Sequence, residues 1–217
     1  MGKNSSLNDI GKGLLFFQSN PASEDTIQVA EQLGEILKVP GMPITQTLTP
    51  RETSGLEKSS YSGNYGTGAF PLHTDLAHWY EPPRYFLLRC IQPSHEVITS
   101  FVPAEEVFMH ENSIDLRRSL FRPRRRIDGR LSMLRLYQNE LYRWDTLFIK
   151  PMTKLACMLQ ARIEDKLKDI QQLEVSLANS GDCVLVDNWK MLHSRSAVPS
   201  TSLNRRIERV YISELRG

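Results

Sequence analysis

The sequence has few cysteines, no long apolar run and almost no net charge, and each shortage excludes a class of protein. Three cysteines in 217 residues, Cys90, Cys157 and Cys183, are far apart, odd in number and without CxxC spacing. A disulfide scaffold and a thiolate zinc site are thereby excluded, and the cysteines read as reduced residues of a cytoplasmic protein. No apolar stretch approaches the ~20 residues that a membrane helix requires. The formal charge of +2 gives no global field toward nucleic acid or membrane. The start, Met1-Gly2-Lys3-Asn4-Ser5-Ser6, is too polar for the apolar region of a signal peptide, though it matches the weak Gly2/Ser6 pattern for myristoylation. What remains is an ordinary globular balance, 40% hydrophobic and 24% charged, in a length that suits one domain over residues 1–217.

Along the chain, apolar runs at 13–17, 85–91, 97–102, 183–186 and 207–212 predict strands, with 85–91 apolar enough for a central strand covered on both faces. Residues 70–75 and 131–136 are predicted strands as well. Ile27, Ala30, Leu33, Ile36 and Leu37 have helical spacing, with Ser23 as cap and Pro40-Gly41 as stop. Pro103 opens a second helix with Glu105 and Glu106 in its first turn, and Pro151 a third with Leu155, Leu159, Ile163 and Leu167 on one face. Residues 49–68, rich in Ser, Gly and Thr, form a long loop of the kind that often serves as a lid. Seven or eight short strands with flanking helices predict a mainly β sandwich.

His73-Thr74-Asp75 carries the chemistry, with a partner at His193. On an extended strand, residues i and i+2 point to the same side, so both side chains can reach one ion. Two imidazoles and a carboxylate leave open coordination positions, which suits non-heme Fe(II) oxygenases.

The segment Leu72-His73-Thr74-Asp75, then Pro82-Pro83-Arg84-Tyr85-Phe86-Leu87-Leu88, resembles the first half of the taurine dioxygenase and clavaminate synthase-like families. Gly181-Asp182 through Asp187-Asn188-Trp189 to His193-Ser194-Arg195 is similar to their second half, and Arg205-Arg206-Ile207-Glu208-Arg209 to the arginine-bearing strand that follows. The resemblance covers roughly residues 40 to 213. It implies a double-stranded β-helix, a cupin-like jelly roll, that binds Fe(II), 2-oxoglutarate and dioxygen. His73, Asp75 and His193 would hold the iron. Arg205 would take the distal carboxylate of 2-oxoglutarate, with Arg206 as rival and Arg209 sharing the face of Arg205. Thr99 would assist as hydroxyl donor, with Ser100 as the neighbouring choice, although the glycine pair that precedes that threonine in the family is missing.

The activity implied is oxidation of an unactivated C–H bond, coupled to loss of carbon dioxide from 2-oxoglutarate and release of succinate. The outcome is hydroxylation, desaturation or ring closure. Related halogenases have Ala or Gly where Asp75 stands, so halogenation is disfavoured. Asn64, Tyr65, His78, Trp79 and Arg195 are candidates for contact with the primary substrate, and Asp187-Asn188 for stabilising the turn before His193. The short interval between the two halves predicts an open pocket, suited to a bulky or carrier-bound metabolite. Two alternatives stand beside this one: a catalytically silent metal-binding jelly roll, and a module that binds nucleic acid or an acidic partner through the arginines between Arg117 and Arg130. The near-neutral total charge argues against nucleic acid.

Overall fold

The computed structural model describes residues 10, 12–52, 60–127 and 129–216; the Gly2/Ser6 pattern and part of the predicted lid loop lie outside them. In chain order the elements begin with β1 (Leu14–Gln18), α1 (Thr26–Leu33), β2 (Gly34–Ile36), β3 (Gln46–Leu48), α2 (Tyr61–Tyr65) and β4 (Phe70–His73). The middle of the chain adds β5 (Tyr85–Gln92), β6 (Ile98–Pro103), α3 (Ala104–Phe108), α4 (Ser113–Arg118), β7 (Phe121–Pro123), β8 (Tyr137–Gln138), β9 (Leu141–Tyr142) and β10 (Ile149–Pro151). Last come α5 (Lys154–Lys166), β11 (Leu173–Ser176), β12 (Asp182–Asp187), β13 (Met191–Arg195) and β14 (Arg206–Leu215).

The structure is mainly β, and its strand pairs are antiparallel. A larger sheet runs β1-β12-β5-β14-β2, with β3 also paired to β14, and a smaller one runs β11-β6-β13-β4. Two separate ribbons, β10–β7 and β8–β9, complete the set. Strand alternation distributes the core. Phe86, Leu88 and Cys90 of β5 face the smaller sheet, with Val184, Val186, Ile207, Tyr211 and Phe101. Leu87, Leu185, Val210 and Ile212 face the other way, onto Val29, Ala30 and Leu33 of α1. The outer face of the smaller sheet, including Val102 and Leu192, is covered by Leu159 and Ile163 of α5 and by Phe121 and Trp144. Burial on both faces explains why β5 reads as a continuous apolar run.

Several expectations are corrected. The cap of α1 is Asp25, not Ser23: its carboxylate accepts the Gln28 N–H at 2.8 Å, and the Gln28 side chain accepts the Asp25 N–H in return. The helix also ends earlier, at Leu33. Gly34 passes so close to β14 that a Cβ there would lie 2.1 Å from the Glu214 carbonyl oxygen, and the chain continues as β2 instead of as helix. Residues 131–136 form no strand; Leu134 alone bridges to Phe121. Pro151 ends β10, and α5 starts three residues later under a Thr153 cap. The loop over 49–68 contains the short helix α2, capped by Ser60. Cys90 and Cys183 are buried and Cys157 is exposed, all as free thiols.

Candidate metal centre

β4 and β13 are neighbours in the smaller sheet, and His73 is the register partner of His193. That pairing brings the two imidazoles to a ring separation of 4.2 Å. The His-x-Asp tripeptide straddles the end of its strand rather than lying within it: β4 stops at His73, and Asp75 occupies the turn that follows, where Leu76 has φ of 54°. Two clamps set that turn. The Thr74 hydroxyl accepts the Trp144 N–H at 3.0 Å, and the Thr74 N–H donates to the Trp144 carbonyl at 2.7 Å. The Asn188 side-chain amide accepts the Asp75 N–H at 2.7 Å and donates to the carbonyls of Asp75 and Pro83. Asn188 therefore braces Asp75 across the fold, rather than only the turn before His193.

One ligand atom from each of His73, Asp75 and His193 lies within 4.8 Å of the others, and all three residues are buried. Nδ1 of His73 donates to the Pro71 carbonyl at 2.8 Å, which fixes the tautomer and leaves the Nε2 lone pair free. Nδ1 of His193 is buried with no partner. Burial holds the pKa of His73 below the ordinary value and that of His193 well below it, so both rings are neutral. Burial pushes the Asp75 carboxyl up, but the adjacent Arg209 guanidinium, with the Tyr211 hydroxyl bonded to it, pulls the other way, and the net shift is downward, toward the ionised form. Neutral imidazoles beside an ionised carboxylate are the protonation states a divalent cation requires. The unpartnered nitrogen of His193 is a further mark of fit.

The three residues open onto a cavity of about 410 Å³, toward the low end of ligand pockets. Phe86, Leu88, Leu76, Leu48 and Phe148 give it apolar walls. Arg205, just before β14, lines it together with Ile207 and Arg209, alternate residues of that strand, and so two guanidinium groups reach the cavity. Arg205 is only 6% exposed, its Nε has no partner, and burial disfavours its charge, which is the setting of a cation awaiting an anion. Thr99 lines the same cavity, while Ser100 faces the opposite side of the sheet toward α5. Arg206 is exposed and does not line the cavity.

Of the candidates for substrate contact, His78 lines the cavity, its Nδ1 buried without a partner and its pKa lowered by burial to about 4. Arg195 also lines it, but donates to the carbonyls of Gly66, Gly68 and Ser196 and stacks 3.8 Å above the Phe70 ring, so its role is to hold the segment after α2. Asn64, Tyr65 and Trp79 are not lining residues. The helical turn of α2 points Tyr61 inward in their place, and Trp79 packs into the core.

No protein-family model matches the sequence, and neither does any curated protein. Solved structures do match. An asparagine oxygenase in complex with Fe(II), 3-hydroxyasparagine and succinate aligns with a TM-score of 0.70 at 15% identity, over 95% of this chain and 76% of that one. PvcB, an Fe, α-ketoglutarate-dependent oxygenase from an isonitrile synthetic pathway, aligns at 0.63 and 20% identity, over 92% and 75%. A taurine dioxygenase from Burkholderia xenovorans aligns at 0.64 and 14% identity, over 100% and 83%. The chain has the fold of these iron oxygenases.

Within that oxygenase fold, several polar residues at the centre escaped sequence reading. Tyr61 stacks on His73 with 3.9 Å between ring centroids and donates to the buried Asp145 carboxylate at 2.8 Å. Tyr211 donates to Oδ2 of Asp75 at 2.9 Å, and Arg209 ion-pairs with the same oxygen while also donating to Gln46. Arg209 was already a candidate from the sequence, and strand alternation from it could have flagged Tyr211 as sharing its face; nothing local to Tyr61 or Asp145 signals their pairing.

Proposed function

We propose that the protein is a non-heme Fe(II)- and 2-oxoglutarate-dependent oxygenase that hydroxylates, desaturates or cyclises an unactivated C–H of a small metabolite, built as one jelly-roll domain over residues 1–217. The observation that carries this reading is the convergence of His73, Asp75 and His193 from opposite ends of the chain onto a cavity that also holds the unpartnered guanidinium of Arg205. The fold shared with iron oxygenases supports it.

In this reading His73, Asp75 and His193 hold the iron, which when bound supplies dioxygen activation coupled to decarboxylation of the keto acid. Arg205 receives the distal carboxylate of 2-oxoglutarate through its planar fork, with the Thr99 hydroxyl beside it. Tyr211 and Arg209 occupy Oδ2 of Asp75 and leave Oδ1 as its donor atom. The apolar walls exclude bulk water from the reacting carbon, and His78 offers a neutral polar atom toward the substrate.

The test is succinate release with Fe(II), ascorbate and 2-oxoglutarate across a substrate screen that begins with amino acids and sulfonates. A substrate-dependent rise is expected in the wild type, and its loss in His73→Ala. Equal turnover by that variant would remove iron from the reading.

A further inference from the structure

The ribbon β7–β10 presents a basic surface that the oxygenase chemistry does not use. Its register pairs Arg122 with Lys150 and Phe121 with Pro151. Phe121 and Ile149 point into the core, so Arg122 and Lys150 stand together on the outer face. The pattern continues at both ends. Arg124 donates its N–H to the Phe148 carbonyl and its side chain to the Thr146 carbonyl, and the Phe148 side chain lines the cavity. At the far end Met152, 47% exposed, bonds back to Leu120. On the other side of β7 from β10, the bridge Phe121–Leu134 brings Met133, 48% exposed, beside Arg122.

Seven arginines lie between residues 117 and 130. Among the described residues none of the seven is in an ion pair; the pairs found use Arg84, Arg162, Lys168 and Arg209. Where they bond at all, they bond to carbonyls or stack on a ring, as Arg117 does over Tyr137. A surface charge cluster normally acquires carboxylate neighbours that offset its self-repulsion. Here, among the described residues, the exposed side chain brought beside Arg122 is Met133, with no ion pair. Arginine and methionine beside exposed apolar area are enriched at protein interfaces, whereas single-stranded nucleic acid sites interleave their cations with stacking aromatics.

We propose that the outer face of this ribbon is the docking surface for an acidic protein partner, which presents carboxylates to Arg122, Arg124 and Lys150 and apolar side chains to Met133 and Met152. The ribbon starts at Phe148, a residue of the cavity wall, so a partner docked there sits next to that wall. Docking itself requires neither iron nor turnover.

Fluorescence anisotropy tests this with three labelled probes: an amphipathic helical peptide with Asp and Glu on one face and Leu on the other, the same peptide with Lys in place of the acids, and a single-stranded oligonucleotide. The acidic peptide is expected to bind saturably and the lysine peptide not at all. Affinity for the acidic peptide should fall about tenfold or more in Arg122→Glu/Arg124→Glu/Lys150→Glu, and by less in Lys150→Glu alone. It should also weaken between about 0.1 and about 1 M salt, where the Debye length falls from ~10 to ~3 Å. Arg206→Glu, exposed on β14, serves as the control expected to bind like wild type, and a melting curve for each variant verifies folding. His73→Ala is expected to bind the peptide unchanged, so failure of the oxygenase reading would leave this result standing. Absence of saturable binding, binding indifferent to the charge reversals, or tighter binding of the oligonucleotide would overturn the proposal.

Discussion

Asp75 has one oxygen engaged by two side chains of the same strand and the other left open. Tyr211 is 1% exposed, and its hydroxyl reaches Oδ2 directly. Groups that orient a metal ligand typically control affinity by about 10- to 100-fold. Tyr211→Phe is therefore expected to weaken Co(II) binding about tenfold, read from visible absorption during titration, with little loss of stability. Unchanged affinity would mean that Arg209 alone fixes the carboxylate. His78 gives a pH dependence whose sign is determined. Burial lowers its pKa from 6.5 to about 4, so between those values the unfolded chain binds a proton that the folded chain does not. The stability that comes from keeping this ring neutral is complete above pH 6.5 and is lost as pH falls through 4, a change of up to roughly 3 kcal/mol. Denaturant midpoints across that window should decline less steeply in His78→Phe. That His73, Asp75 and His193 would converge was legible in the sequence, because a metal site would demand particular atoms at particular spacings, and the structure brings one ligand atom of each within 4.8 Å of the others. Tyr61 and Asp145 were not. They are ordinary polar residues 84 positions apart, and only folding makes the bond between them.

Elements covered on both sides, or periodic over several turns, could be read directly. β5 and β12 are near-continuous apolar runs because one face packs against α1 and the other against the second sheet. The face Leu155, Leu159, Ile163 and Leu167 identified α5. Short ribbons escaped, since two or three residues per strand carry no period. The end of α1 escaped for a different reason. Ile36 and Leu37 continue the helical spacing, and the change to β2 is forced by backbone proximity at Gly34, which is a tertiary property. At that position a methyl group would meet the Glu214 carbonyl oxygen at 2.1 Å and Ile212 Cγ2 at 2.7 Å. Gly34→Ala is expected to cost on the order of 2–3 kcal/mol through displacement of β2 from β14. Chemical denaturation measures this directly, and a variant as stable as wild type would show that the edge strand yields freely.

At the scale of the whole chain, the larger sheet, the smaller sheet and the helices outside them place His73, Asp75 and His193 in the inner layer, lining the same cavity. Among the described residues no helix is long and apolar enough to cross a membrane. A protein that binds a metal and a cosubstrate only when folded gains stability by mass action, about 2.7 kcal/mol at a hundredfold excess over Kd. In a domain of this size that corresponds to a rise in Tm of roughly 5–10 °C. Differential scanning fluorimetry with Mn(II) and 2-oxoglutarate is expected to show a rise of this order in the wild type, and no metal-dependent rise in His73→Ala. A wild type indifferent to both additives would contradict the assignment of the centre.

Asp75 and Tyr211 are 136 residues apart in sequence, yet joined by one hydrogen bond. Strand pairing over such separations is slow to form, because loop-closure entropy must be overcome before the pairing stabilises anything. The last strand, β14, must therefore dock before the carboxylate is oriented. A metal ion would then act as a latch rather than a template: added to refolding protein it leaves the folding rate unchanged, and added to native protein it slows escape toward the unfolded chain.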